Sequence, residues 1–479
     1  MTTRHSAVVG GETFEYTVTV RTFPAVDASG RRVGTCSTTT YLRDLPAGAS
    51  PDARPVLFAF NGGPGAASTA LHLGGLGPYR IAFPTDLSAG PLGPCPLEAN
   101  PDSVFDSTDL VFIDAINTGY GAADEGADLS GVYGVEGDAA CFAGVITAWL
   151  QHEGRFRSPK YVLGESYGTV RAPRVARRLL GQGMSVALNG IALLGQALNL
   201  QETVQRPTNA IGSMAALPFM AASAWYHGKS EVSASSAEEV ARLAHEFATT
   251  TYISALVQGG SLSADERRKV AERLTELTGI STEHFLRSRL RIHTDEFRQL
   301  LLEDRQQELG NADARYTLPA PDLRRGEGGT DPASATLYPG FTMAAAQYFR
   351  DELGVDRELM YQQLDREASS RWTWQDPMSP HPVVGNGPVP FTIFDDSACL
   401  TGYLKANTAA HLFIGTGYYD SLTTVGMVEH LVAQNELPQE RLHRFGYESG
   451  HMMYTDPGSS VRLNSDLRLF ISRSVADPR

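Results

Sequence analysis

Three residues spread over the chain could together perform acyl transfer. Ser166 lies in "YVLGESYGTV", where Gly164-Glu165-Ser166-Tyr167-Gly168 forms a G-x-S-x-G. Asp420 ends "LFIGTGYYD", and His451 lies in "YESGHMMY". An apolar run precedes the serine and a helical pattern follows it. That is the strand-turn-helix context in which a tight turn lifts a serine hydroxyl into a cleft. The context also predicts chain order, serine then acid then histidine. The histidine would take the Ser166 proton and later return it to the leaving group. Asp420 would fix the imidazole tautomer and stabilise the imidazolium.

The developing oxyanion needs two N–H donors. One is the backbone of Tyr167, next after the serine. The other belongs on a loop after an early strand, and "FNGGPGAAS" follows "PVLFAF" with Gly62 and Gly63 able to approach an anion closely. Asp395 and Asp396 are rival acids, but they precede a helical pattern and suit N-cap roles. His152, His245 and His284 sit in helical patterns, and His411 and His430 read as strand and helix positions. Glu165, directly before the serine, is a puzzle. Its charge would oppose the oxyanion unless it is neutral or points away.

These residues need a scaffold. "FEYTVTVRTF" and "CSTTTYLRDL" read as an antiparallel start. "PVLFAF", "DLVFID", "KYVLG" and "VALNGIALLG" read as strands alternating with helices over "GVEGDAACFAGVITAWLQHEG" and "TVRAPRVARRLLGQG". Strand and helix in this rhythm predict an α/β fold with a mostly parallel sheet and helices on both faces. The character changes near Thr203. From about Ser233 to Leu309 the chain is charged and helical, with a capping box at Ser263 and helices expected over "STEHFLRSRL" and "HTDEFRQLLLEDRQQEL". A Pro/Gly/Asp-rich link, "PAPDLRRGEGGTDPAS", follows, and strand rhythm returns only near Phe413. We therefore expect a core of residues 1–205 and 386–479 interrupted by a mainly helical cap over 206–385.

The chain has 479 residues, 42% of them hydrophobic and 20% charged, with a net charge of −14. An acidic balance excludes nucleic acid as the expected partner, since phosphate binding needs a basic surface. Cys36, Cys95, Cys141 and Cys399 show no C-x-x-C spacing, so no metal site is expected. The N-terminus lacks the basic start and apolar run of a signal peptide, and no 18-residue apolar stretch occurs. The expectation is a cytoplasmic protein without membrane or cofactor, acting on a peptide or small acyl substrate and compatible with a homo-oligomer. Trp225, Tyr226, Tyr252, Trp372 and Trp374 are candidate pocket aromatics, with packing inside the cap as the simpler reading.

"FNGGPGAAS", "GESYG", "GTGYYD" and "ESGHMMY", in this order, resemble the serine carboxypeptidase family of the α/β-hydrolase superfamily, its bacterial members above all. The resemblance implies an α/β-hydrolase fold with an inserted helical cap. It implies Ser166, Asp420 and His451 as the triad, and the N–H groups of Gly63 and Tyr167 as the oxyanion hole. It also implies that Glu165 and Asn61 bind the substrate's C-terminal carboxylate. A glutamate beside another carboxylate is pushed toward its neutral form, which can donate a hydrogen bond. The implied activity is hydrolysis of a peptide or amide near a free carboxylate through a serine acyl-enzyme. Acyl transfer, or a tailoring hydrolysis in specialised metabolism, is the alternative. The sequence departs from the family at Gly75-Leu76-Gly77-Pro78, where a second glutamate of the clamp would stand at Gly75, and at Ala66, where a disulfide cysteine is usual.

Overall fold

The computed structural model describes residues 1–87, 93, 95–181, 183–320, 331–374 and 396–476. Nine strands form one sheet: β1 (Thr2–Val9), β2 (Glu12–Val26), β3 (Arg32–Arg43), β4 (Val56–Phe60), β5 (Asp109–Ile113), β6 (Lys160–Glu165), β7 (Gly190–Leu194), β8 (His411–Gly417) and β9 (Leu442–Tyr447). Their spatial order is β1-β2-β3-β5-β4-β6-β7-β8-β9. The first three strands and the β3–β5 pair are antiparallel, and the rest is parallel. Strands β4 to β8 are buried along their whole length, as short apolar runs covered on both faces must be. In β2 the burial alternates, so one face meets solvent. The sequence reading missed β1, an edge strand whose alternate residues are mostly only half-buried.

Register places the site. Phe60 pairs with Gly164, Glu165 with Leu194, and Gly417 with Tyr447. The segments starting at Asn61, Ser166, Gly195, Tyr418 and Glu448 therefore all leave the same carboxyl edge of the sheet, where open α/β sheets gather their sites. Helices α1 (Val135–Glu153) and α2 (Gly168–Leu180) contribute Phe142, Ile146, Trp149, Val175 and Leu179 to the core on one face. The opposite face is covered by the C-terminal helix over Pro457–Ala476 and by a helix over Pro332–Gln347.

Between β7 and β8 the described chain is mainly helical. Helices α3 (Ala210–Tyr226), α4 (Ala237–Phe247) and α5 (Ala264–Thr278) build a separate apolar core, and α6 (Pro332–Gln347) returns to the sheet. Ser263 and Glu266 form the expected capping box of α5. The segment "HTDEFRQLLLEDRQQEL" is not one helix. It is helical over Thr294–Leu300, passes through the left-handed Gln306 and ends as a short strand, Gln307–Leu309, paired with Thr317–Pro319. Arg298 Nη1 donates to Leu309 O at 2.7 Å, folding the segment back on itself. Among the described residues no helix is long and apolar enough to cross a membrane.

Candidate active site

Ser166 sits between β6 and α2 with φ at +59°, a left-handed conformation rare outside glycine. The turn is braced on both sides. Ser166 N donates to Leu194 O at 2.9 Å, and Thr169 N donates to Ser166 O at 2.8 Å. A non-glycine residue held in this region is the strained turn expected of an exposed nucleophile.

The Asn61–Gly63 loop lies directly on this turn. A Cβ at Gly62 would come within 2.5 Å of Tyr167 N and 2.7 Å of Glu165 O, so only glycine fits there. Arg171 of α2, fully buried, ties the two segments together. It donates to Asn61 O at 2.7 Å, pairs with Asp138 at 2.6 Å and lies over the Phe142 ring at 3.9 Å. The N–H groups of Gly63 and Tyr167 donate to no other group among the described residues.

Asp420 and His451 meet at the far side. His451 Nδ1 donates to Asp420 Oδ2 at 2.7 Å. Asp420 also accepts from Leu422 N at 2.8 Å, Thr423 N at 3.1 Å and Thr423 Oγ1 at 2.5 Å. Burial disfavours a charged His451, but the charge and hydrogen bond of Asp420, helped by Glu165, prevail and bring its pKa up to about 9. The histidine loop is held by a segment that sequence reasoning did not single out. His451 N donates to Ala312 O at 2.6 Å, Gly450 N to Asp313 Oδ2 at 3.0 Å, and Ser421 Oγ to Asn311 O at 2.7 Å. Gly195 was also missed. It has φ of +58°, and a Cβ there would touch the His451 ring and Thr423 Oγ1 at 3.0 Å.

Glu165 is buried beside Asn61, whose Nδ2 donates to Glu165 Oε1 at 2.7 Å. Asn61 is itself oriented by Leu71 N, which donates to its Oδ1 at 3.0 Å. Burial pushes the Glu165 pKa up to about 7, against the charge of His451 and the donors Tyr454 and Asn61, with Asp420 adding to the rise. The sequence reading left position 75 as a missing second carboxylate. The structure gives the reason: the Tyr454 ring occupies that space. A Cβ at Gly75 would lie 2.5 Å from Tyr454 Cβ, and one at Gly74 2.5 Å from its ring carbons.

Asn61, Gly62, Gly63, Glu165, Ser166 and His451 all line one cavity of about 530 Å³. Ser166 and His451 share its wall without a direct hydrogen bond between them, a separation common before substrate binds. Tyr338, Phe341 and Thr342 of α6 and Leu422 complete much of the apolar lining. The aromatics singled out from sequence lie elsewhere. Tyr252 is buried in the helical core, while Trp372 and Trp374 pack edge-on against the Tyr167 ring at 5.1 and 5.6 Å. Asp396 precedes the helix Ser397–Ala406 and pairs with Arg174, away from His451, and Asp395 lies outside the described residues. The four cysteines are free, with Cys36 and Cys141 sulfurs 3.5 Å apart in the core.

Comparison with known proteins agrees with this architecture. The family model described as serine carboxypeptidase matches residues 43–276, a span that contains the Asn61 loop and the Ser166 turn. Among solved structures the chain is similar to Kex1(delta)p, a prohormone-processing carboxypeptidase from Saccharomyces cerevisiae, at 14% identity over 96% of this chain and 92% of that one, with a TM-score of 0.56. A proline iminopeptidase from Mycobacterium smegmatis is similar at 15% identity, over 96% of this chain and 100% of that one, with a TM-score of 0.39. No curated protein sequence matches. The fold is that of the α/β-hydrolases, and the likeness to serine carboxypeptidases read from the four motifs is borne out.

Proposed function

We propose that this chain, a hydrolase of the serine carboxypeptidase type, cleaves a peptide or amide bond next to a free carboxylate through an acyl-enzyme on Ser166. One observation carries the reading. A strained serine, a histidine paired to a buried aspartate at 2.7 Å, and a glutamate–asparagine pair at 2.7 Å share a single cavity.

In this reading Ser166 Oγ attacks the scissile carbonyl while His451 Nε2 takes its proton. Asp420 holds Nδ1 and stabilises the imidazolium. The N–H groups of Gly63 and Tyr167 receive the oxyanion, in a place where they need no reorganisation. His451 returns the proton to the leaving amine, and water then repeats the sequence on the ester. Glu165 and Asn61 receive the carboxylate of the leaving residue. Among the described residues no Lys or Arg lines the cavity, and the groups it offers a carboxylate are neutral donors: the Asn61 amide and a protonated Glu165.

The test is labelling followed by substrate comparison. A fluorophosphonate should label the protein and fail to label Ser166→Ala, and that variant should lose about 10⁴-fold or more in kcat. Blocked dipeptides with a free C-terminus should be cut in preference to their amides. Equal cleavage of acid and amide would remove the carboxylate part of the proposal and leave the acyl-enzyme part standing.

A further inference from the structure

Two buried oxygens in this region lack a partner. Glu165 Oε2 and Tyr454 Oη are both shielded from solvent, and neither completes a hydrogen bond among the described residues. One is an acceptor and the other a donor, so each is what the other needs. A buried polar atom left unpaired costs about 1–3 kcal/mol, and two such atoms side by side call for an explanation.

Tyr454 follows His451 by three residues and enters the short helical turn Met453–Thr455. Its side chain packs on Gly74 and Gly75: a Cβ at Gly74 would meet its ring carbons, and one at Gly75 its Cβ, each at 2.5 Å. The phenol lies against Glu165 and Asn61, close enough to favour the carboxylate form of Glu165. Asn61 serves only Oε1. Every other polar group facing Glu165 has a different duty or place. His451 stands across the cavity with Asp420 behind it, and Tyr338 approaches from α6.

We propose that Tyr454 is a positioning residue for Glu165, its phenol held over the Gly74-Gly75 pair to serve the carboxyl oxygen that Asn61 does not reach. The proposal rests on the reading of Glu165 and Asn61 as the carboxylate-binding pair, and it adds what sets that pair's geometry and proton. Glu165 Oε2 accepts from Tyr454, Oε1 from Asn61, and a small rotation of the carboxyl turns a proton toward the substrate's carboxylate. A second acidic side chain at position 75 is then unnecessary as well as sterically excluded. Both jobs fall to one residue of the histidine loop, so the acid that reads the substrate and the base that activates Ser166 are held by the same turn.

The experiment uses Tyr454→Phe, which removes one oxygen and keeps the ring on the glycines. Removing a donor from a carboxylate raises its pKa. In the substrate-free protein, the infrared band of a protonated carboxyl that Glu165→Gln abolishes should titrate at higher pH in Tyr454→Phe, by about one unit. The ratio of kcat/KM on a peptide acid to that on a neutral ester, from which the His451 titration cancels, should fall at a pH higher by the same amount, and kcat/KM on the acid at pH 5 should drop about three- to tenfold from looser positioning. A neutral ester should be turned over within about twofold of wild type, since it does not use Glu165. Gly75→Ala, which pushes the ring aside, should repeat the infrared shift. An unmoved band in both variants overturns the proposal, as does equal loss on acid and ester. A shifted band with no acid-specific limb in wild type would leave Tyr454 as the partner of Glu165 and overturn the carboxylate-binding reading instead.

Discussion

Two buried carboxylates act on His451 and are differently served. Asp420 accepts four hydrogen bonds, from two backbone amides, the Thr423 hydroxyl and His451. Glu165 accepts one full bond, from Asn61, and has only the Tyr454 phenol beside its other oxygen. The consequence follows from the donors. Four donors organise a fixed negative charge, and that charge holds the imidazolium of His451. The Asn61 amide and the Tyr454 phenol do not offset the loss of water, so the pKa of Glu165 climbs to about 7. Burial alone does not assign a carboxylate its task; the count of donors around it does. The fixed charge suits orienting and stabilising, and the undersupplied group suits carrying a proton to a substrate anion.

The largest break in this comparison is Asp420→Asn. It keeps the shape and removes the charge, so the imidazole loses both its orientation and the interaction that raises its pKa. A fall of about 10⁴-fold in kcat on a neutral ester is expected. The sign of the pH effect is separate and checkable. In wild type, activity on a neutral ester should rise with pH as His451 loses its proton, with a midpoint toward 9. In Asp420→Asn the residual activity should rise at lower pH, because burial is then opposed only by the charge of Glu165. An unmoved midpoint would mean that Asp420 does not govern the histidine.

Glu165→Gln is next. It gives the cavity wall a neutral side chain at every pH. In wild type the ratio of kcat/KM on a peptide acid to that on a neutral ester, from which the His451 titration cancels, should fall as pH rises through about 7, while Glu165→Gln should show no such fall and lose about tenfold on the acid at pH 5. Stability offers a second reading. The folded pKa of Glu165 lies above its ordinary value of 4.5, so the wild type binds the proton more tightly when folded. The contribution is fully present below 4.5 and is lost as pH rises through 7. The urea midpoint of Glu165→Gln should therefore gain on wild type between pH 5 and pH 8.

The same comparison explains what could be read from sequence. Ser166, Asp420 and His451 are each tied to a strand end and a chain order, so local pattern leads to them. Gly63 and Tyr167 follow from the glycine-rich and elbow motifs, and Asn61 from the family resemblance alone. The groups that adjust these residues carry no such mark. Tyr454 matters because its ring meets Gly74 and Gly75 far back in the chain, and Ala312 because its carbonyl meets His451 N. Tyr338, Phe341 and Thr342 belong to an α6 whose sequence, "PASATLYPGFTMAAAQ", has little polar rhythm to show which face meets a cavity. The strand at Gln307–Leu309 was hidden for a related reason: helix-forming residues precede it, and the chain is turned back by bonds such as that of Arg298 to Leu309 O and of Gln307 N to Leu302 O.

The finest test of the comparison removes one donor from Asp420. Thr423→Val is nearly isosteric and deletes the hydroxyl that donates to Asp420 Oδ2 at 2.5 Å and touches His451 Nδ1 at 3.2 Å. Three donors remain, two of them backbone amides that no substitution at position 423 disturbs. If the number of donors sets the role, Asp420 moves one step toward the condition of Glu165, and only one. The net worth of one such bond to a charged group is about 1.5–3 kcal/mol, shared here with the remaining donors, so kcat on a neutral ester should fall about three- to tenfold. The midpoint of its rise with pH should slip in the same direction as in Asp420→Asn and by less. A loss as large as that of Asp420→Asn would mean that Thr423 acts on His451 directly, through the 3.2 Å contact, and not by way of the aspartate.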